Sequence, residues 1–334
     1  MILENVTRSS RGPAAVLTGL SLMAATITTS TITATAATAA AATPAAAESG
    51  RDVRLPGTGV TLHERSGDRA WVSAFSVDRK NGSYARSGSR FVRKPGYWEF
   101  TVAPKGHRAL GVPTNYVKGH DSVDIVNLAS GKKVSITTVK APFIAEYGLW
   151  SRDGRAVLLT VKKKVKKKWV PTGFVTVDVE AGRAHGVDLA NLDKDTVFQW
   201  APDGSVIADK GDDVVFYDTD GNQTSTFGGV GWTVGGEDAF SPSGKRLATW
   251  CPEKVSADIC LWDAGSGDKV RQIYFAAEQV WGWWDDTHLI AVRKNGGRFQ
   301  SVLIDFRGKV TRVLADISAT AWKKDRVYLS YTRR

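Results

Sequence analysis

The sequence is short of the residues that carry chemistry. Among 334 residues there are two cysteines and five histidines. Two cysteines with no histidine nearby do not make a zinc set. No Gly-x-Ser-x-Gly turn occurs, which excludes the nucleophile elbow of a hydrolase domain. The Gly-rich stretch 228–236 (GGVGWTVGG) lacks Gly-x-x-x-x-Gly-Lys-Ser/Thr and leads into no helix, so it is no phosphate loop. Charge is missing too, from one place: none falls between Arg11 and Glu48.

That uncharged segment follows a short basic start, Arg8 and Arg11, and holds an apolar run around residues 14–27. It closes on the small residues Ala45, Ala46 and Ala47. This is the pattern of a secretory signal peptide, with cleavage expected near Ala47. The threonines from Thr26 onward leave too short an apolar core to span a bilayer. No cysteine follows the expected cleavage, which argues against a lipid-modified N-terminus. The expected division is a signal peptide over 1–47, an N-terminal linker over 48–68 and one folded domain over 69–334. No transmembrane segment is expected after cleavage.

Without the first 47 residues, 43 basic and 33 acidic residues remain, a net charge of +10. A basic exported domain is drawn to anionic surfaces such as headgroups or wall polymers. Export argues against nucleic acid. Cys251 and Cys260 flank a turn between strands expected at 246–250 and 259–262. Cross-strand neighbours in a hairpin come close enough for a disulfide, which an oxidising location favours.

The rest of the chain is organised around residues 200–227, WAPDGSVIADKGDDVVFYDTDGNQTSTF. They read as a meander of short strands, with Pro202 and Gly204 shaping the first turn. So small a sheet cannot bury both faces alone and needs copies of itself. An aromatic, a tight turn and a small-apolar strand recur from Trp150, Trp200 and Phe240. Weaker copies start at Phe100, Trp283 and, at the C-terminus, Trp322. A second landmark, an apolar strand ending in Asp or Asn before a Gly turn, falls at Asp78, Asn127, Asp178, Asp218, Asp263 and Asp305. Its spacings are 49, 51, 40, 45 and 42 residues. A period of 40 to 50 with short strands predicts an all-β propeller. Each chain end holds half a blade, so five complete blades and one composite blade give a six-bladed ring. Pairing of residues 319–331 with 70–84 would close it and remove the open edges.

Trp200-Ala201-Pro202-Asp203-Gly204 and Phe240-Ser241-Pro242-Ser243-Gly244 resemble the W-S-P-D-G core of TolB-type, WD-like β-propeller repeats. The resemblance covers residues 70–334. It implies a scaffold used for protein binding outside the cytoplasm and implies no chemistry.

The two landmark turns of each blade share one side of the ring, the turn face. Second-to-third turns and blade connections share the other, the loop face, and are long and dissimilar. Variable loops on a rigid scaffold are where binding resides, so any site is expected there. The strongest feature is the loop 161–169, with Lys162, Lys163, Lys164, Lys166, Lys167 and Lys168 around one valine. One reading is an anion-binding finger; the other is a solvated hairpin whose lysines discourage edge aggregation. Tyr116, Phe143, Tyr147, Trp232 and Trp281 are placed on the same face, to stack on a ligand or to pack between blades. His120 beside Asp121 is the only His–carboxylate pair on that face. Asp218-Thr219-Asp220-Gly221-Asn222 opens like a calcium loop but has no closing Glu, and Asp218 is expected to cap its own turn.

The expected function is a non-catalytic exported scaffold, monomeric and without cofactor or metal, for a protein or anionic envelope polymer. The alternative is a propeller lyase or hydrolase for an anionic polysaccharide, with His120, Asp121 and neighbouring carboxylates converging on the channel mouth.

Overall fold

The computed structural model describes residues 49–78, 82–252 and 258–333. The expected signal peptide, 1–47, lies outside the described residues. Six sheets form the blades of a β-propeller. Blade 2 spans Tyr97–Val102, Arg108–Pro113, His120–Asn127 and Lys133–Lys140. Blade 3 spans Phe143–Trp150, Ala156–Val165, Lys168–Asp178 and Arg183–Asp188. Blade 4 is the meander 200–227 read from the sequence: Gln199–Trp200, Val206–Lys210, Asp213–Tyr217 and Gln223–Phe227. Blade 5 spans Trp232–Thr233, Arg246–Trp250, Ile259–Asp263 and Lys269–Ile273. Blade 6 spans Gln279–Asp285, His288–Asn295, Arg298–Asp305 and Val310–Ile317.

Burial explains the apolar runs. The middle strands are covered on both faces by neighbouring blades, so Val206, Ile207 and Ala208 are all buried, as are Leu247, Ala248 and Thr249. Such strands read as continuous apolar stretches and do not alternate. The outermost strand of blade 4, QTSTF, is mostly exposed and polar.

The landmark residues do the same work in each blade. Gly154, Gly204 and Gly244 hold φ of 72°, 89° and 75°, a region that favours glycine. Trp200 Nε1 donates to Leu149 O in blade 3 (3.0 Å), and Trp283 Nε1 donates to Ala239 O ahead of it (2.9 Å). Asp218 Oδ1 accepts the Asp220 and Asn222 amides, as expected of a cap, and Asn127, Asp178, Asp263 and Asp305 cap their turns alike.

Closure differs in detail from the expected half-and-half blade. Blade 1 takes only its innermost strand, Val327–Arg333, from the C-terminus; Ala70–Val77, Gly82–Ser87 and Arg90–Lys94 complete it. Asp78 therefore follows a second strand and stands on the loop face, so it is no copy of the third-to-fourth turn. Trp322 is no first-to-second turn either. It lies in the helical turn Ala321–Asp325 ahead of the closing strand and stacks on Phe299.

Residues 48–68, expected as a linker, contain a hairpin of Gly50–Arg54 and Val60–Arg65. Its second strand pairs with Val310–Ile317 and extends blade 6 to six strands. Val53, Leu55, Val60 and Leu62 are buried beneath it. Arg312 pairs with Asp68, and His63 Nε2 lies 3.0 Å from Asp316. The hairpin covers an edge that would otherwise offer unpaired backbone groups.

Candidate functional site

The lysine segment is a rigid two-stranded projection. Ala156–Val165 and Lys168–Asp178 are 10 and 11 residues long, the longest strands among the described residues. Val165 pairs with Lys168 across a two-residue turn, with Lys166 at φ 46° and Lys167 at φ 71°. A turn with both central residues at positive φ matches the twist of the strands but selects Asn and Gly. Here two lysines occupy it.

Lys162 is not part of the exposed finger. It is 13% exposed, its Nζ lies 2.7 Å from Glu146 Oε1, and it packs 4.2 Å from the centre of the Tyr147 ring. Lys163, Lys164, Lys166, Lys167 and Lys168 are exposed. Among the described residues, none of these five forms an ion pair. Lys163 and Lys164 lie over the rings of Phe143 and Trp169 at 5.4 and 5.7 Å. Val165 and Trp169 are 47% and 40% exposed on the same hairpin.

The predicted aromatics separate. Tyr116 is exposed beside the hairpin and donates to Phe143 O (3.0 Å), and Trp232 is also exposed. Tyr147 turns inward at φ 60°, against Trp98. Trp281 is not on the loop face: it is 3% exposed and packs against Trp322, Tyr328 and Tyr331.

Asp121 feels the charge of Glu146, but its own oxygens are taken by the backbone. Its oxygens accept the Ser122 amide (3.0 Å) and the Ala145 amide of blade 3 (2.6 Å), while His120 Nδ1 donates to Lys118 O. Glu99 likewise accepts from the amides of Tyr147 and Gly148 (3.0 and 2.8 Å), and Asp209 accepts from the Thr233 amide and the Thr233 hydroxyl. Each of these carboxylates clasps the innermost strand of the next blade. Burial pushes Glu99 up to about 7 and Asp209 up to about 6. Among the described residues, no three His, Cys, Asp or Glu side chains stand close enough to hold a metal ion.

Cys251 and Cys260 are bridged. The bridge crosses the mouth of the hairpin diagonally, since the Cys251 amide donates to Asp258 O and Cys260 pairs with Thr249. No helix among the described residues is long and apolar enough to cross a membrane.

A cavity that the repeat pattern does not announce lies at the opposite end of the channel. It measures about 300 Å³ and is framed by the ends of innermost strands and by landmark turns, including Val102, Trp150, Pro242 and Arg333. Trp281 and Trp283 line it, with Arg152, Glu237 and Asp238. Asp238 Oδ2 accepts from Arg152 Nε and Nη2 (3.0 and 2.9 Å), and its Oδ1 accepts the Phe240 amide. Arg152 also donates to the carbonyls of Pro242 and Ser241 (3.1 and 2.8 Å). Burial still pushes Asp238 up to about 6, against the pull of Arg152. Glu237 accepts from Ser330 Oγ (2.6 Å), and burial pushes it up to about 7. One signal was available. Arg152 occupies the third place of a landmark where Trp200 and Phe240 are followed by Pro202 and Pro242, and an arginine there has a reach that proline lacks.

No family model matches the chain, and no curated protein matches it. Its structure is similar to that of an oligogalacturonate lyase in complex with manganese, at 13% identity and a TM-score of 0.52, over 84% of this chain and 88% of that one. It is similar to a protein of unknown function from Bacteroides caccae, at 13% identity and a TM-score of 0.50, over 79% of this chain and 100% of that one. TolB from Acinetobacter baumannii aligns at 12% identity and a TM-score of 0.49, over 82% of this chain and 68% of that one. Similarity at these identities is a similarity of fold.

Proposed function

We propose that this chain is an exported, non-catalytic propeller scaffold that engages an anionic envelope component through the 163–168 hairpin. One observation carries the reading: five lysines, none ion-paired among the described residues, stand on a long two-stranded projection whose tip lysines hold left-handed backbone. Residues kept in sparsely populated backbone regions gather at functional sites. A solvated hairpin needs neither the length nor the strain. The disulfide and the uncharged N-terminal segment are compatible with an oxidising compartment outside the cytoplasm.

The lyase or hydrolase alternative called for acids converging on His120 and Asp121. Both Asp121 oxygens are instead taken by backbone amides, so no observation favours it over binding.

The test is retention on a dextran sulfate column at low salt. The wild type is expected to be retained and to elute as salt rises, because surface charges are screened over about 10 Å at 0.1 M. A variant with all five exposed lysines changed to Ser should elute with the unretained fraction. Equal retention of the two would end the proposal.

A further inference from the structure

The turn-face cavity contains a cation whose hydrogen-bonding capacity is largely unused. Arg152 is spent on Asp238 and on three carbonyls, those of Phe240, Ser241 and Pro242. Arg333, which shares the cavity, makes one long bond among the described residues, from Nη2 to Trp283 O at 3.4 Å. Asp238, Asp285 and Asp286 feel its charge, but none is hydrogen-bonded to it. Asp285 is held by Thr287 and His288, and Asp286 by the Ser243 amide. A guanidinium is a planar fork matched to carboxylate geometry, and a partly buried one gains most from an anionic partner. The walls beside it are flat and apolar: Trp150, Trp281 and Trp283 line the same space. About 300 Å³ is at the small end of ligand pockets, enough for a single ring and its substituent.

We propose that this cavity binds a small carboxylate with a flat apolar body, its oxygens on the Arg333 fork and its ring against the indoles. Glu237 gives the site a proton dependence. It faces Ser330 and Tyr328 of the closing strand, Asp238 beside it, and Arg333. With Glu237 neutral, the cavity carries one negative charge fewer beside Arg333 and attracts an anion better; Asp238, pushed up to about 6, takes up its proton at slightly lower pH and acts in the same direction. With Glu237 ionised, that attraction is weaker. Affinity is therefore higher below pH 7 than above it. This site is independent of the lysine hairpin and stands or falls without it.

Benzoate and benzamide are the probes, titrated into the full chain at pH 6 and pH 8 and followed by saturation-transfer NMR. Benzoate is expected to bind at pH 6 and benzamide at least tenfold more weakly. Arg333→Gln should weaken benzoate at least tenfold, with unchanged near-ultraviolet circular dichroism showing that the fold is intact. Glu237→Gln should keep benzoate binding at pH 6 and lose most of the difference between pH 6 and pH 8. The five-lysine Ser variant should bind benzoate as the wild type does. Equal binding of the two probes, undiminished binding by a folded Arg333→Gln variant, or no benzoate binding at either pH would each overturn the proposal.

Discussion

The two ends of the ring handle charge in opposite ways. On the loop face, five lysines are exposed and, among the described residues, form no ion pair. On the turn face, Arg152 and Asp238 are drawn into the channel and hold each other and the backbone. Exposed charge acts over distance, is weakened by salt and contributes little to stability. Buried paired charge acts at contact, and losing one partner is costly. The comparison teaches that one scaffold can keep its two kinds of charge apart: on the readings proposed above, the lysine end would attract polyanions over distance, and the arginine end would separately hold a small carboxylate by shape.

The sharpest way to break this contrast is to unbalance the half-buried pair. Arg152→Ala leaves Asp238 without its ion partner and should lower unfolding free energy by about 2–4 kcal/mol, read from urea titration. The five-lysine Ser variant should stay near zero in the same assay. Equal losses would remove the distinction between the ends.

A second measurement concerns the loop face itself. Reducing the Cys251–Cys260 bridge, or replacing both residues by Ser, frees a nine-residue span and should cost about 2–3 kcal/mol. Intact mass should differ by two hydrogens with and without reductant. An unchanged mass would refute the bridge.

The pH dependence of stability follows from the buried acids. Glu99 and Glu237 rise from 4.5 to about 7 on folding. The folded protein thus keeps protons that the unfolded chain releases. Their stabilising contribution is full below pH 4.5 and is lost as pH rises through 7. Tm should fall between about pH 5 and pH 8, and Glu99→Gln or Glu237→Gln should each flatten that fall. The turn-capping carboxylates Asp218, Asp263 and Asp305 are shifted the other way from 3.8, so their contribution is lost only at more acid pH. A Tm that rises across the neutral range would contradict the assignment.

The smallest effect discriminates best. Lys166→Asn with Lys167→Gly gives the hairpin tip the residues its geometry selects, and should stabilise by about 1 kcal/mol. It also removes two of the five exposed lysines and should shorten retention on dextran sulfate. Stability and retention moving in opposite directions would show that the two tip lysines are kept for binding at a cost in stability. Parallel movement would show that they are not.

Much of the fold was legible because it repeats. Trp150, Trp200 and Phe240 announce the same turn, and the capping carboxylates recur because every third strand must end the same way. What failed was local to the closure. Asp78 looks like the other caps, since a Gly turn after an apolar strand has one appearance on either face. Trp322 looks like a landmark, since an aromatic before an apolar strand does not state which strand follows. Residues 50–65 carry no repeat and so read as a linker, although alternate residues Val60 and Leu62 are buried. The lysine hairpin was visible as a charge run, but the inward turn of Lys162 depends on Glu146, a neighbour across the strand. The cavity was out of sight because Arg152, Asp238 and Arg333 come from three separate blades or their turns, and no spacing along the chain brings them together.

Ring closure sets the order in which this protein can be finished. Ser73 meets Thr332, 259 positions further along the chain, as a hydroxyl pair at 2.7 Å. Contacts so distant in sequence are made late, after the entropy of a very long loop has been spent. Arg333 lies on that same last strand. The turn-face cavity therefore does not exist on a half-made ring, and occupancy of it reports that the propeller has closed.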